Sequence, residues 1–240
     1  MMEQPTLLVP VDASNPDDLP LELVEVLHPL RVVVLGLYPV PDQTAPEQLR
    51  DEYREEATAA MEPTVRTFAE RSAAVESVLV FTRDRVQTTD RVANDYDCDA
   101  VLVPGAVESL DRVLVSLKDE RNMFRVLDVV ELVAAAGDPQ VTLFHAESVE
   151  RGSAASELYL RGATDWLTER GVARERISWR EPTEETQESD LTDLARDHDL
   201  VVMGESDPGI RERVVGELPS RVHDQTDRPV LTVRTERQHD

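Results

Sequence analysis

The sequence predicts an α/β protein built from two doubly wound parallel-sheet domains in tandem, and three observations carry that prediction. Short apolar, β-branched runs alternate with longer stretches of helical period, the pattern of βαβ units joined by right-handed crossovers. The order is given twice. A run at residues 7–11 restarts at 113–117, second runs stand at 32–36 and 141–145, and later ones at 99–103 and 199–203. Matching runs lie about 100 residues apart, a domain-sized repeat rather than a solenoid. Only the second copy continues, through Gly204, Gly209 and Gly216 to a further strand at 229–233. The predicted domains are therefore residues 1–110, lacking a last helix and strand, and residues 111–240, complete.

Each element has its own reason. The first strand is bounded by Pro10, Asp12 and Ser14, and the acidic pair Asp17-Asp18 introduces a short helix over 19–27. The second strand, Val32-Val33-Val34-Leu35, is continuous and β-branched, as burial on both faces requires. A long helix over 47–72 sets Tyr53, Ala57, Ala60, Met61, Thr64 and Phe68 on one face; Pro63 inside it predicts a kink or break. A strand over 75–81, a helix over 86–96 and a strand over 100–103 finish the first copy. In the second, a strand over 112–117 precedes a helix over 121–136, which Gly137 stops from the capping position. Then come a strand over 141–145, a helix over 156–170 ended by Gly171, a weak strand over 176–180, a helix over 191–196 and a strand over 200–203. Ligands of such sheets bind outside the carboxyl ends of the strands, where the strand order reverses.

Composition excludes several functions. The chain has 25 basic and 49 acidic residues, a net charge of −24. That field opposes nucleic acid and anionic membranes alike. With no long apolar run and no leader pattern, the reading is a cytoplasmic protein without membrane insertion. Lys118 is the only lysine, and every other cation is arginine. Acid excess with lysine depletion resembles the proteins of salt-accumulating halophiles. Cys98, the only cysteine, is read as a packing residue. His28, His198, His223 and His239 show no metal-ligand spacing, and His145 is read as a packing or backbone-bonding residue. Without a nucleophile elbow, a Walker loop or a GxGxxG motif, no catalytic or metal site is assigned, and the protein is not expected to be an enzyme.

The stretch Val201-Val202-Met203-Gly204, followed by Gly209, Gly216 and Arg228-Pro229-Val230-Leu231-Thr232-Val233, resembles the universal stress protein (UspA-like) family, as does the opening Leu8-Val9-Pro10-Val11-Asp12. The resemblance implies a Rossmann-like, adenine nucleotide alpha hydrolase-like fold and a role as a stress-related binding or regulatory protein. Members that bind ATP share a loop of Gly, two residues, Gly, nine residues, Gly, then Ser or Thr. Its glycines let backbone N–H groups reach phosphate at a helix N-terminus. Here Gly204 matches the first glycine and Gly216 the last, with one residue too few between them. Asp207 and Pro208 stand where the middle glycine would, Gly209 comes late, and Glu217 replaces the hydroxyl. Two like charges about 4 Å apart cost about 4 kcal/mol at an effective dielectric near 20, so Glu217 opposes a phosphate. Arg211 and Arg213 could offset part of that.

The family's binders also carry an aspartate at the end of the first strand. Asp12 keeps it in the first copy; in the second the place is taken by Lys118. The candidate degenerate nucleotide site is thus Gly204, Gly209, Gly216, Glu217, Lys118 and Met203, with ATP weak or absent and no other cofactor. The alternatives are an adenine-nucleotide sensor using a modified loop, or a regulator of a membrane transporter. Because the last strand has no counterpart in the first copy, it is expected to join two chains in a homodimer. A monomer with that strand covered by the first copy is the other possibility.

Overall fold

In the computed structural model, which describes residues 4–16, 18–72, 74–118, 120–145, 153–180, 187–205 and 217–235, nine strands form one sheet. They are β1 (Thr6–Asp12), β2 (Arg31–Pro39), β3 (Val75–Thr82), β4 (Ala100–Val103), β5 (Arg112–Leu117), β6 (Gln140–His145), β7 (Ile177–Arg180), β8 (Leu200–Gly204) and β9 (Val230–Val233). The order is β3-β2-β1-β4-β9-β8-β5-β6-β7. Every neighbouring pair is parallel except β4 and β9, which run antiparallel from Ala100↔Val233 to Val103↔Val230. The all-parallel pairing expected from the sequence is corrected at this one junction. The two expected sheets are also continuous with each other. The predicted boundary at 110/111 falls in the connection between β4 and β5.

Helices cover both faces, which is why the central strands are apolar on both sides. On one face α1 (Leu21–Leu27), α2 (Pro46–Ala69), α4 (Glu120–Gly137) and α5 (Ser153–Glu169) share one core that runs across the junction. On the other face α3 (Arg85–Asp95) packs on Leu8, Val33 and Val101, while α6 (Gln187–Arg196) and α7 (Glu217–Thr226) pack on Leu114, Val201 and Val230.

Two helix details differ from the sequence reading. α2 is one unbroken helix through Pro63. Its buried stripe of Ala57, Met61, Thr64 and Phe68 lies against the sheet, and this packing holds the helix together across the missing backbone donor. Gly137 is the last residue of α4 rather than its stop. The left-handed position belongs to Asp138 (φ 54°), whose N–H donates to the Ala134 carbonyl at 3.2 Å. Gly171 (φ 96°) does end α5 as expected.

β9 is not a free edge. It pairs with β8 on one side and with β4 on the other, so a dimer through the last strand is closed off by the chain itself. Covering by the first copy is what the structure contains. The residue after β9, Arg234, is buried and locks the junction. Its guanidinium donates to the carbonyls of Ala93 and Cys98, both at 2.9 Å, and to Asn94 Oδ1 at 2.6 Å, at the C-terminal end of α3. Arg125 of α4 adds a second tie, to Asp99 Oδ1 at 2.7 Å and to the Arg234 carbonyl at 3.0 Å.

Candidate functional site

The strand order reverses at two places, between β1 and β4 and between β5 and β8. Each is a crevice at the carboxyl ends of the strands, and the two differ sharply.

Two of the six sequence-predicted site residues, Lys118 and Gly204, stand at the β5/β8 crevice. Lys118 follows β5 and is exposed; Gly204 ends β8. They line one small cavity together with Asn122, Val126 and Glu205, and its volume is about 10 Å³. A void of that size sits at the threshold for a single water. Asn122, reaching in from α4, fills it. Its Nδ2 donates to the Val233 carbonyl at 2.9 Å, and a Cβ on Gly204 would meet that same nitrogen at 2.8 Å. Gly204 is therefore explained by the close approach of α4. Glu205 adds a carboxylate at the mouth; its Oε2 accepts from the Thr235 N–H at 3.0 Å and hydroxyl at 3.1 Å.

The other candidates are not gathered there. Met203 packs on the opposite sheet face with Leu191 and Val222. Glu217 is the first residue of α7. Gly209 and Gly216 lie outside the described residues, as do Arg211 and Arg213. Asn122, Val126 and Glu205 were not found from the sequence. Glu205 directly follows Gly204 and was within reach of the motif reading. Asn122 and Val126 share one face of α4, but nothing in their spacing says that this face closes a crevice.

The β1/β4 crevice is open, with a volume of about 950 Å³. Its floor is Val11 and Asp12, its rim is the stretch after β4, and its far wall is the approach to β9. Gly105 lets that wall come close, since a Cβ there would meet the Asp227 carbonyl at 2.5 Å. Asp12 is already engaged. Ser14 N–H (2.9 Å), Ser14 Oγ (2.6 Å) and Asn15 N–H (3.2 Å) donate to its Oδ1, and Arg85 donates to its Oδ2 at 2.5 Å. Burial acts to raise its pKa, but the bonds from Ser14 and Arg85 outweigh it and hold the carboxyl below its ordinary value. Five carboxylates, of Asp12, Asp18, Glu108, Asp199 and Asp227, line the crevice against two guanidiniums, of Arg85 and Arg228.

Cys98 and His145 are placed structurally. Burial first, then Asp99 and Asp97, push the Cys98 thiol up to about 12, which suits packing rather than nucleophilic chemistry. His145 Nδ1 bonds Ser156 Oγ at 2.7 Å and its ring lies on Tyr159. Among the described residues no group of three metal-ligating side chains is placed to hold an ion, and no helix is long and apolar enough to cross a membrane.

No protein-family model matches the chain, and no curated protein matches it. Among solved structures it is similar to a universal stress protein from Archaeoglobus fulgidus DSM 4304, at 15% identity over 96% of each chain with a TM-score of 0.63. It is also similar to a putative universal stress protein from Pseudomonas aeruginosa UCBPP-PA14, at 14% identity over 96% of this chain and 93% of that one, with a TM-score of 0.52. The chain thus has the fold found in universal stress proteins.

Proposed function

We propose that this chain is a universal stress protein-like binding or regulatory protein of the cytoplasm whose nucleotide site has degenerated, and that it does not hydrolyse ATP. The observation that carries the reading is the filled β5/β8 crevice. Among the described residues, the half that retains part of the glycine pattern leaves a cavity of only about 10 Å³ beside Lys118 and Gly204. The half that retains the aspartate has room, but carboxylates outnumber guanidiniums five to two in its crevice, and Asp12 is engaged by Ser14, Asn15 and Arg85. A triphosphate is repelled there. On this reading the chain is a tandem of two such domains, the first shortened by a helix and a strand, and its acidic, lysine-poor surface is an adaptation to a salt-rich interior.

The test is a calorimetric titration with ATP in molar KCl. Binding should be weaker than about 1 mM, or about −4 kcal/mol; micromolar affinity would overturn the reading. If Glu217 is the opposing charge, Glu217→Ser should strengthen binding by more than Arg211→Ala weakens it.

A further inference from the structure

The sheet ends in two strands of unequal size. β7 has four residues, β3 has eight. β3 carries few of the devices that blunt an open edge. It has no proline and no lysine, its register to β2 is unbroken from Val75 to Thr82, and its one charged residue, Glu76, is held by Arg31. The Val32 N–H donates to the Ala74 carbonyl at 3.0 Å and the Val40 N–H to the Thr82 carbonyl at 2.9 Å. In a parallel ladder one residue turns its N–H and C=O to the same side. The even-numbered residues therefore face β2, and Ser77, Leu79 and Phe81 turn their backbone groups outward. Beside that edge α2 and β3 form a groove of about 500 Å³, floored by Leu79 and Phe81 and walled by Arg50, Arg54 and Glu62.

We propose that β3 pairs antiparallel with β3 of a second copy of this chain about a twofold axis, making one sheet continuous through both chains. Two features favour a second copy over a foreign strand. An antiparallel twofold must set outward-facing residues opposite one another, so the axis passes through a residue, and pairing the full length of β3 makes that residue Val78 or Leu79. Glu76 then meets Val80 or Thr82 and never its twin, which avoids a like-charge pair. The same axis lays α2 against its twin in the opposite direction, carrying Arg50 and Arg54 of each copy toward the other's Glu62. The groove offers two guanidiniums and one carboxylate on a chain of net charge −24. Its lining is basic where the rest of α2, with Glu47, Asp51, Glu52, Glu55 and Glu56 exposed, is acidic, so the groove is the part of this face that repels a second copy least.

Light scattering at high salt tests this, because at about 1 M salt and above the overall repulsion is screened within about 3 Å. The expected mass is twice 26.9 kDa. Ser77 is exposed and its N–H points away from β2, so Ser77→Pro should give the single-chain mass with an unchanged far-ultraviolet spectrum. Should the proline disturb the fold, Arg54→Glu should weaken the dimer by about tenfold, and Arg54→Glu with Glu62→Arg should restore it. A single-chain mass for the unmodified protein, or a dimer of unchanged affinity in both Ser77→Pro and Arg54→Glu, overturns the proposal.

Discussion

Asn122 and Gly204 illustrate how one close approach can decide a site. Asn122→Ala would remove the donor to the Val233 carbonyl, and the expected loss is about 1–3 kcal/mol. Gly204→Ala would drive a Cβ against the same side chain. The two losses should not add, because removing Asn122 relieves the clash. Urea unfolding of both single variants and the double variant measures this coupling; additive losses would mean that the two residues act separately. His198 gives a second expectation. Its Nδ1–H donates to the Leu194 carbonyl at 2.7 Å and its Nε2 accepts from the Thr142 hydroxyl at 2.9 Å. Burial lowers its pKa below the ordinary value. The unfolded chain therefore binds the proton more readily, so this contribution is complete above about pH 6.5 and is lost as pH falls below it. Thermal unfolding at high salt should show a lower melting temperature at about pH 5.5 than at pH 8, and His198→Gln should reduce that difference.

Among the elements, β9 with its following arginine makes the most of the fewest residues. Arg234→Ala would strip donors from the end of α3 and free the junction, at an expected cost of about 3 kcal/mol. For a chain of this size that lowers the melting temperature by about 6–12 °C, and a shift under about 2 °C would show that the β4/β9 ladder holds without it. Such a role could not be read from the sequence. Buried strands announce themselves through runs such as Val32 to Leu35, and all nine were legible. The direction of β9 against β4 was not, since Val-Leu-Thr-Val carries no sign of which neighbour it will take. Pro63 misled because local backbone chemistry yielded to the packing of Met61 and Phe68. Of the six candidate site residues, two are brought together. Gly204 and Lys118 do meet, while Met203 lies one residue away on the other face, as strand alternation requires.

For the molecule as a whole, charge sets the conditions of stability. A net charge of −24 on a sheet without a break spreads repulsion over one body. Visible ion pairs such as Arg161–Glu157 and Arg91–Asp95 are exposed and contribute little each. The melting temperature should climb as KCl rises from about 0.1 M to 3 M, with the steepest gain below about 0.5 M. A flat profile would remove the salt-adapted reading of the composition.

The shared strand also has a consequence for synthesis. β4 and β9 are separated by about 130 residues, which a ribosome adds over roughly ten seconds. During that interval the first four strands can pair among themselves, but the far side of β4 has nothing to bond. β8, when it emerges, waits with the same vacancy. A nascent chain halted before Val230 would thus present two adhesive backbone rims beyond the outer edges at β3 and β7, and should be captured by chaperones far more than one halted after Arg234.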